Sequence, residues 1–190
     1  MPLNSDIVNS STLVFDLEPN YRLEPLKISD ARSLNKLMIR NGRLFQQFLP
    51  VTLAENLTEE KSRNYIAKKI KQSENFEAIT LGIKKLDKGT IAGLIILKEI
   101  NKEKKEAELA YCIGRKYGGM GLVTKSVIEF SNFLLLQTNL KTINILIHKS
   151  NIKSIQVAKK SGFNWKGTLE NEFRAPGGLM LDMELYQRNK

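Results

Sequence analysis

The chain has 190 residues, 42% of them hydrophobic and 26% charged, with 12 Gly and 5 Pro; this suffices for one buried core and excludes collagen-like, low-complexity and disordered classes. The 30 basic against 20 acidic residues leave a net charge of +10, which favours polyanionic partners without naming one. One Cys (Cys112) and one His (His148) supply neither an intrachain disulfide nor a usual zinc site, so we expect a reduced, cytoplasmic setting and no metal.

Met1–Leu13 has neither a basic nor an apolar region of a secretory signal. The longest strongly apolar run, Ile91–Leu97, is far below the roughly 20 residues that span a bilayer, so no membrane partner is expected. Residues 1–19 read as an N-terminal arm, and 20–188 as the single domain. In Tyr21–Lys27 (YRLEPLK) apolar and polar residues alternate, which predicts a half-buried strand, with Pro25 favouring an edge. Ser29 is positioned to cap a helix carrying Ala31, Leu34, Leu37 and Met38 on one face and ending near Asn41 and Gly42; a loop through Pro50 follows. Thr58 caps a second helix, with Glu59 and Glu60 at its positive dipole end and Ile66 and Ile70 one turn apart.

From Glu77 the period becomes that of strands. AITLGIKKL, a turn at Asp87–Gly89 and TIAGLIILKEI predict a hairpin. Lys98–Glu106 mixes both signs and reads as a solvated loop rather than a binding stripe. Glu106–Ile113 (EAELAYCI) alternates as a third strand. Beyond Gly121, Val123, Val127, Phe130 and Leu134 are helically spaced, Thr142–Ile147 is an apolar strand, and Asn151–Ser161 is a helix closed by Gly162. A helix between two such strands implies a parallel crossover. Strands at Phe163–Glu172 and Leu179–Gln187 flank a turn at Ala175–Gly178.

The informative stretch is a strand (AELAYCIG), a basic glycine turn from Arg115 to Gly121 (RKYGGMG), and a helix opening with Leu122, Val123 and Thr124. Glycines let the backbone approach a ligand closely, and successive N–H groups at a helix N-terminus suit an anion such as a pyrophosphate. Glycines also serve plain tight connections, so the turn alone does not decide. It lacks the Lys-Ser/Thr ending of a P-loop and the three-glycine spacing of a dinucleotide fold.

With its neighbours the turn resembles motif A of the GNAT N-acetyltransferases, in particular the RimJ/RimL-like branch of ribosomal-protein-alanine acetyltransferases. The resemblance runs from Tyr21 to Gln187 and rests on YRLEPL with the Ser29–Asp30 helix start, AELAYCIG, YGGMGLVTKS, NIKSIQVAKKSGF and GTLENEFR. It implies an α/β (α+β) fold: a mixed, mostly antiparallel sheet of about seven strands with helices on both faces. That sheet is split between the Glu106–Ile113 and Thr142–Ile147 strands so that acetyl-coenzyme A wedges in, with no metal. Family motif A, Gln/Arg-x-x-Gly-x-Gly, is here Lys116-x-x-Gly119-x-Gly121. Gly118 stands where Gln is frequent, Met120 where a basic residue is common, and Lys125–Ser126 where Glu-Ala is usual.

Because such a cradle works through main-chain donors, the resemblance assigns cofactor binding to Arg115, Lys116, Gly118, Gly119, Met120, Gly121, Leu122, Val123 and Thr124. Lys125 is a further phosphate contact or a solvated cation. An N–H near Ile113 polarises the thioester carbonyl, a contribution of about 3 kcal/mol per donor. Asn151 contacts the cofactor arm or caps its helix, and Ser154 protonates the departing thiolate or is an ordinary helix serine.

Presenting a neutral amine at pH 7 costs about 1.1 kcal/mol for a protein N-terminus and about 4.6 kcal/mol for a lysine. One carboxylate suffices for the first; Glu108 is the candidate base and Glu106 its reserve, unless the glutamate is merely salt-bridged. His148 is the runner-up base or a structural histidine. Cys112 reads as a small buried hydrophobe, and Tyr111, Trp165 and Tyr186 as packing or groove-lining residues.

The resemblance implies transfer of acetyl directly to a primary amine, with the N-terminal α-amine of a ribosomal protein as the first acceptor and a small-molecule amine (antibiotic, polyamine or peptide) as the alternative. A non-catalytic acyl-coenzyme A-binding or RNA-associating module is the alternative of another class. The absence of RNP, zinc-knuckle or helix-turn-helix signatures argues against nucleic acid. A homodimer is compatible with the resemblance.

Overall fold

Apolar alternation builds one eight-stranded sheet, ordered β1-β2-β3-β4-β5-β6-β8-β7. The strands are β1 (Phe15–Leu17), β2 (Tyr21–Pro25), β3 (Ile79–Lys85), β4 (Thr90–Asn101), β5 (Glu106–Ile113), β6 (Thr142–Ile147), β7 (Asn164–Arg174) and β8 (Met180–Asn189). The helices are α1 (Ala31–Arg40), α2 (Gly42–Phe48), α3 (Pro50–Ala54), α4 (Glu59–Glu74), α5 (Leu122–Gln137) and α6 (Ile152–Lys160). The computed structural model describes residues 13–17, 19–175 and 177–190. Residues 1–12 of the stretch read as an arm therefore lie outside the described residues.

All neighbouring strands pair antiparallel except β5 with β6, the pair joined through α5. A parallel pair needs such a crossover, and α5 supplies it with Val123, Val127, Phe130 and Leu134 turned into the core. One apolar cluster joins that helix and Ala158 of α6 to one face of the sheet. A second joins Leu34, Leu37 and Met38 of α1 and Tyr65 and Ile66 of α4 to the other face. Helices thus cover both faces, as the sequence implied. Among the described residues no helix is long and apolar enough to cross a membrane.

Three local expectations are corrected. The sheet has eight strands rather than about seven, because Phe15–Leu17 pairs with Tyr21–Leu23 and buries Leu17. A 3-10 turn at Ile28–Asp30 precedes α1, and the first-turn cap is the Asp30 carboxylate, which accepts from the Lys27 N–H at 2.7 Å, instead of the Ser29 hydroxyl. The predicted loop before Pro50 is helical. Leu44, Phe45 and Phe48 form a short apolar face in α2, and Pro50 opens α3 with its fixed φ at a position needing no N–H. Thr58 does cap α4, its hydroxyl accepting from the Lys61 N–H at 3.1 Å.

Buried Lys84 ties the α1 start to the sheet. Its ammonium lies 2.9 Å from Glu24 and 2.7 Å from Asp30, and it donates to the Pro25 carbonyl at 3.0 Å. Every one of its proton donors is thereby matched, which is what allows a lysine to sit buried.

Candidate active site

β5 and β6 pair only at Glu106↔Thr142, Ala107↔Ile143 and Glu108↔Asn144. Beyond Glu108, β5 stays with β4 as far as Gly93↔Ile113, while β6 stays with β8 as far as Ile147↔Glu184. The two strands therefore splay. The Gly114 N–H donates to the Ala92 carbonyl on β4 at 2.8 Å. Strand alternation then turns the Cys112 amide toward β4 and the Tyr111 and Ile113 amides into the gap.

The glycine turn closes the outer end of this gap. Gly119 and Gly121 sit at φ 81° and 74°, the left-handed region that glycine enters without strain. The Tyr117 and Gly118 amides are engaged by the carbonyls of Gly114 and Arg115, and the first bond of α5 runs from Lys125 N–H to Gly121 O. The Gly119, Met120 and Gly121 amides have no acceptor among the described residues. The next three amides, of Leu122, Val123 and Thr124, are the orphan donors of a helix start. The turn is fixed from α1: Asn41 accepts the Arg115 N–H at 2.9 Å while its own amide donates to the Leu37 carbonyl at 2.8 Å.

Three cavities follow one another along the gap, each sharing residues with the next. The outer one, about 530 Å³, is lined by Gly118, Gly119 and Gly121 of the turn and by Leu122, Val123 and Thr124 of the helix start, together with Arg115, Lys153 and Lys160. The middle one, about 140 Å³, is apolar and lies between Cys112 and Ile113 on β5, Phe45 and Phe48 on α2, and Val157 on α6. The inner one, about 110 Å³, is bounded by Tyr111, His148, Asn151 and Ser154, by Gln47–Leu49, and by Phe173, Leu181 and Met183 of the last hairpin. A cationic mouth rich in free amides, an apolar sleeve and a small polar end thus succeed one another.

The polar end is built from two elements. The Ser154 hydroxyl donates to the Tyr111 hydroxyl at 2.9 Å, and Tyr111 donates in turn to the Ser154 carbonyl at 2.9 Å. Burial raises the Tyr111 pKa well above that of a free phenol, so it stays protonated at neutral pH. Asn151 Oδ1 accepts the Ser154 N–H at 3.3 Å and caps α6. Its Nδ2 finds no acceptor among the described residues, and Asn151 lines both the inner and the middle cavity. Burial pushes the Cys112 thiol up to about 12, which keeps it an unreactive thiol at neutral pH.

Several expected residues stand apart. Glu108 is held by Lys98 at 2.9 Å and lines none of the three cavities; Glu106 lies 3.9 Å from Lys104 and lines none either. Lys116 packs its ammonium over the Tyr117 ring, the Met120 side chain is exposed, and neither they nor Lys125 line the outer cavity. Ile113 lies where the outer and middle cavities meet and shares the middle one with Tyr111 and Ser154, but does not line the inner cavity. Trp165 is exposed and donates to Glu184, whereas Tyr186 is buried in the core.

The family model described as an acetyltransferase (GNAT) domain matches residues 20–164. The chain belongs to the GNAT acetyltransferases. Spermidine N(1)-acetyltransferase of Escherichia coli K12 is 34% identical over 85 residues, which is 45% of this chain and 46% of that enzyme, so the chain spans about half the length of that curated relative. The ribosomal-protein-S5-alanine acetyltransferase from Vibrio fischeri shares the fold with a TM-score of 0.85 at 19% identity, covering 93% of this chain and 96% of that one. RimL, a ribosomal L7/L12 α-N-protein acetyltransferase solved in complex with coenzyme A, gives 0.84 at 19% identity, covering 93% and 97%.

In this GNAT chain, some site residues escaped the sequence reading. Asn41, which fixes the turn, looked like an ordinary helix end. Gln47, Phe48 and Leu49 fell in a supposed loop. Lys153 and Lys160 recur on the α6 face toward the turn with Gln156, a spacing of three and four that could have flagged them.

Proposed function

We propose that the protein transfers acetyl from acetyl-coenzyme A to a primary amine, and that the acceptor is the N-terminal α-amine of a protein. The observation that carries the acceptor half is the lining of the inner cavity. Among the described residues its lining holds no carboxylate, and outside the polar group of Tyr111, His148, Asn151 and Ser154 its walls are largely apolar, with Phe48, Leu49, Phe173, Leu181 and Met183. A polyamine brings two further ammonium groups that such walls leave unpaired, at a cost of several kcal/mol per buried charge. A chain terminus brings one amine beside a small side chain, and its neutral form is the cheaper to present.

The chain fits the co-substrate on its own residues. The amides of residues 119–124 would hold the diphosphate with Arg115, Lys153 and Lys160; the middle cavity would sheathe the pantetheine, with Asn151 Nδ2 donating to one of its amides. When bound, the thioester supplies the activated acyl carbon. The Tyr111 amide, pointing into the gap beside Ser154, suits the thioester carbonyl better than that of Ile113, which lies farther out. Ser154, backed by Tyr111, would hand a proton to the leaving sulfur.

A small-molecule amine is the second reading, favoured by the partial match to a spermidine acetyltransferase. Thiol release, followed with a panel of N-terminal peptides and with spermidine, separates the two. Turnover with peptides bearing small uncharged first residues is expected. Faster turnover with spermidine would transfer the assignment to polyamines, and cofactor binding without release from any amine would make the protein a non-catalytic module.

A further inference from the structure

We infer that His148, steadied by Ser150, is the group that takes the proton from the acceptor amine, an inference that rests on the acetyl-transfer reading above. The inner cavity has only two titratable side chains in its lining, His148 and Tyr111. Tyr111 is a buried phenol that both gives and receives a hydrogen bond with Ser154. As a group that stays protonated at neutral pH, it cannot act as a base there. The middle cavity adds only the Cys112 thiol and Lys153, and the outer one only cations and the Tyr117 phenol. Among the described residues no carboxylate lines any of the three, and Glu108 is bound to Lys98. That leaves one imidazole, whose ring nitrogen has a lone pair that can take up a proton.

Its position follows from the fold. β6 ends at Ile147, and the chain turns with the Asn151 N–H donating to the His148 carbonyl at 2.8 Å, so the ring stands at the inner cavity beside Asn151 and Ser154. Nδ1 lies 2.8 Å from Ser150 Oγ and 3.3 Å from the Ser150 amide nitrogen. The Ser150 N–H donates to Nδ1, and the hydroxyl can donate to it as well while it is bare; on protonation Nδ1 keeps the hydroxyl, now as its acceptor, and gives up the amide contact. The surrounding charges do not offer a rival. α6 presents Lys153, β5 presents Tyr111, α2 presents uncharged Gln47, and the hairpin presents Phe173, Leu181 and Met183. Lys149 beside it is exposed, and Glu184, opposite Ile147 on β8, is engaged by Trp165 and Thr168.

The proton balance closes. The acceptor ammonium gives one proton to the imidazole, and the freed nitrogen lone pair forms the C–N bond at the thioester carbon. The C–S bond then breaks, its electron pair leaving on sulfur, which takes a proton from Ser154. The second nitrogen proton is lost as the amide forms and replaces, through solvent, the one Ser154 gave. The imidazolium returns its proton to water, so the reaction releases one proton overall.

The test is the pH dependence of kcat/KM for an accepted peptide in the wild type, His148→Gln, Ser150→Ala and Glu108→Gln, with thermal melting and acetyl-coenzyme A affinity recorded for each. His148→Gln is expected to lower kcat by about a hundredfold and to move the acidic limb to that set by the acceptor amine alone, with cofactor affinity within a few-fold of wild type. Ser150→Ala, altering a positioning residue, is expected to displace that limb without abolishing it. An acidic limb and a rate both unchanged in His148→Gln, or a limb that moves in Glu108→Gln alone, overturns the inference. Failure of the wild type to release thiol from any amine overturns the acetyl-transfer reading instead, so the two failures are distinguishable.

Discussion

Two hydroxyls in contact, Ser154 donating to Tyr111 and Tyr111 donating on to the Ser154 carbonyl, make the sharpest statement at the residue scale. They contact across 43 positions of sequence, so no local pattern could pair them, and an aromatic on an alternating strand reads first as packing. Ser154 was legible because its spacing from Asn151 survives in one turn of helix. Glu108 was misleading for the converse reason: its type suits a base, but its partner Lys98 sits directly across the β4–β5 ladder. If Tyr111 and Ser154 act as one unit, Tyr111→Phe and Ser154→Ala each lower kcat by about 10- to 100-fold, and the double variant is scarcely worse than the poorer single. Steady-state kinetics of the four proteins check this. Multiplicative losses would mean that the two groups act independently.

At the scale of elements, the long periodic segments were readable and the short ones were not. α1, α4 and α5 carry apolar faces over several turns, whereas α2 has 7 residues, α3 has 5 and β1 only 3. The missed α2 matters most, because it walls the middle and inner cavities. The glycine turn was legible as a type of element, and its atomic geometry allows a clean prediction. A Cβ on Gly119 would meet nothing within 4 Å, so Gly119→Ala costs only the left-handed backbone, about 1 kcal/mol. A Cβ on Gly93 would lie 2.3 Å from the Cys112 carbonyl, which forces β4 and β5 apart. Gly119→Ala is therefore expected to melt a few degrees below wild type and bind coenzyme A about tenfold more weakly as the turn relaxes from φ 81°. Gly93→Ala is expected to lose far more stability. Calorimetry and thermal melts distinguish them, and unchanged binding by Gly119→Ala would deny the turn its role.

Across the whole molecule, several buried acids set the alkaline limit of stability. Burial raises the pKa of Cys112 to about 12 and raises those of Tyr65 and Tyr111 as well. A raised folded-state value means that the native chain holds protons which the unfolded chain releases. Stability is thus full below the unfolded pKa, near 8.5 for Cys, and falls as pH rises toward the folded value. Each group contributes a slope of up to about 1.4 kcal/mol per pH unit. Urea midpoints are expected to be flat from about pH 7 to 8 and to fall above about pH 9, less steeply in Cys112→Ala; an unaltered slope in that variant would remove Cys112 as a cause. The alternation of strands and helices made the hairpins and the β5–β6 crossover legible but not the full sheet order, and the split between β5 and β6 was implied by the resemblance, its splay following from pairing that stops after Glu108. That splay, with unengaged amides at its mouth, is the centre of the account, and a crystal structure grown with acetyl-coenzyme A tests it directly. Density should run from a diphosphate on the Gly119–Gly121 amides, between the two strands, to an acyl group beside Tyr111 and Ser154. Density that binds elsewhere and leaves those amides unoccupied would contradict it.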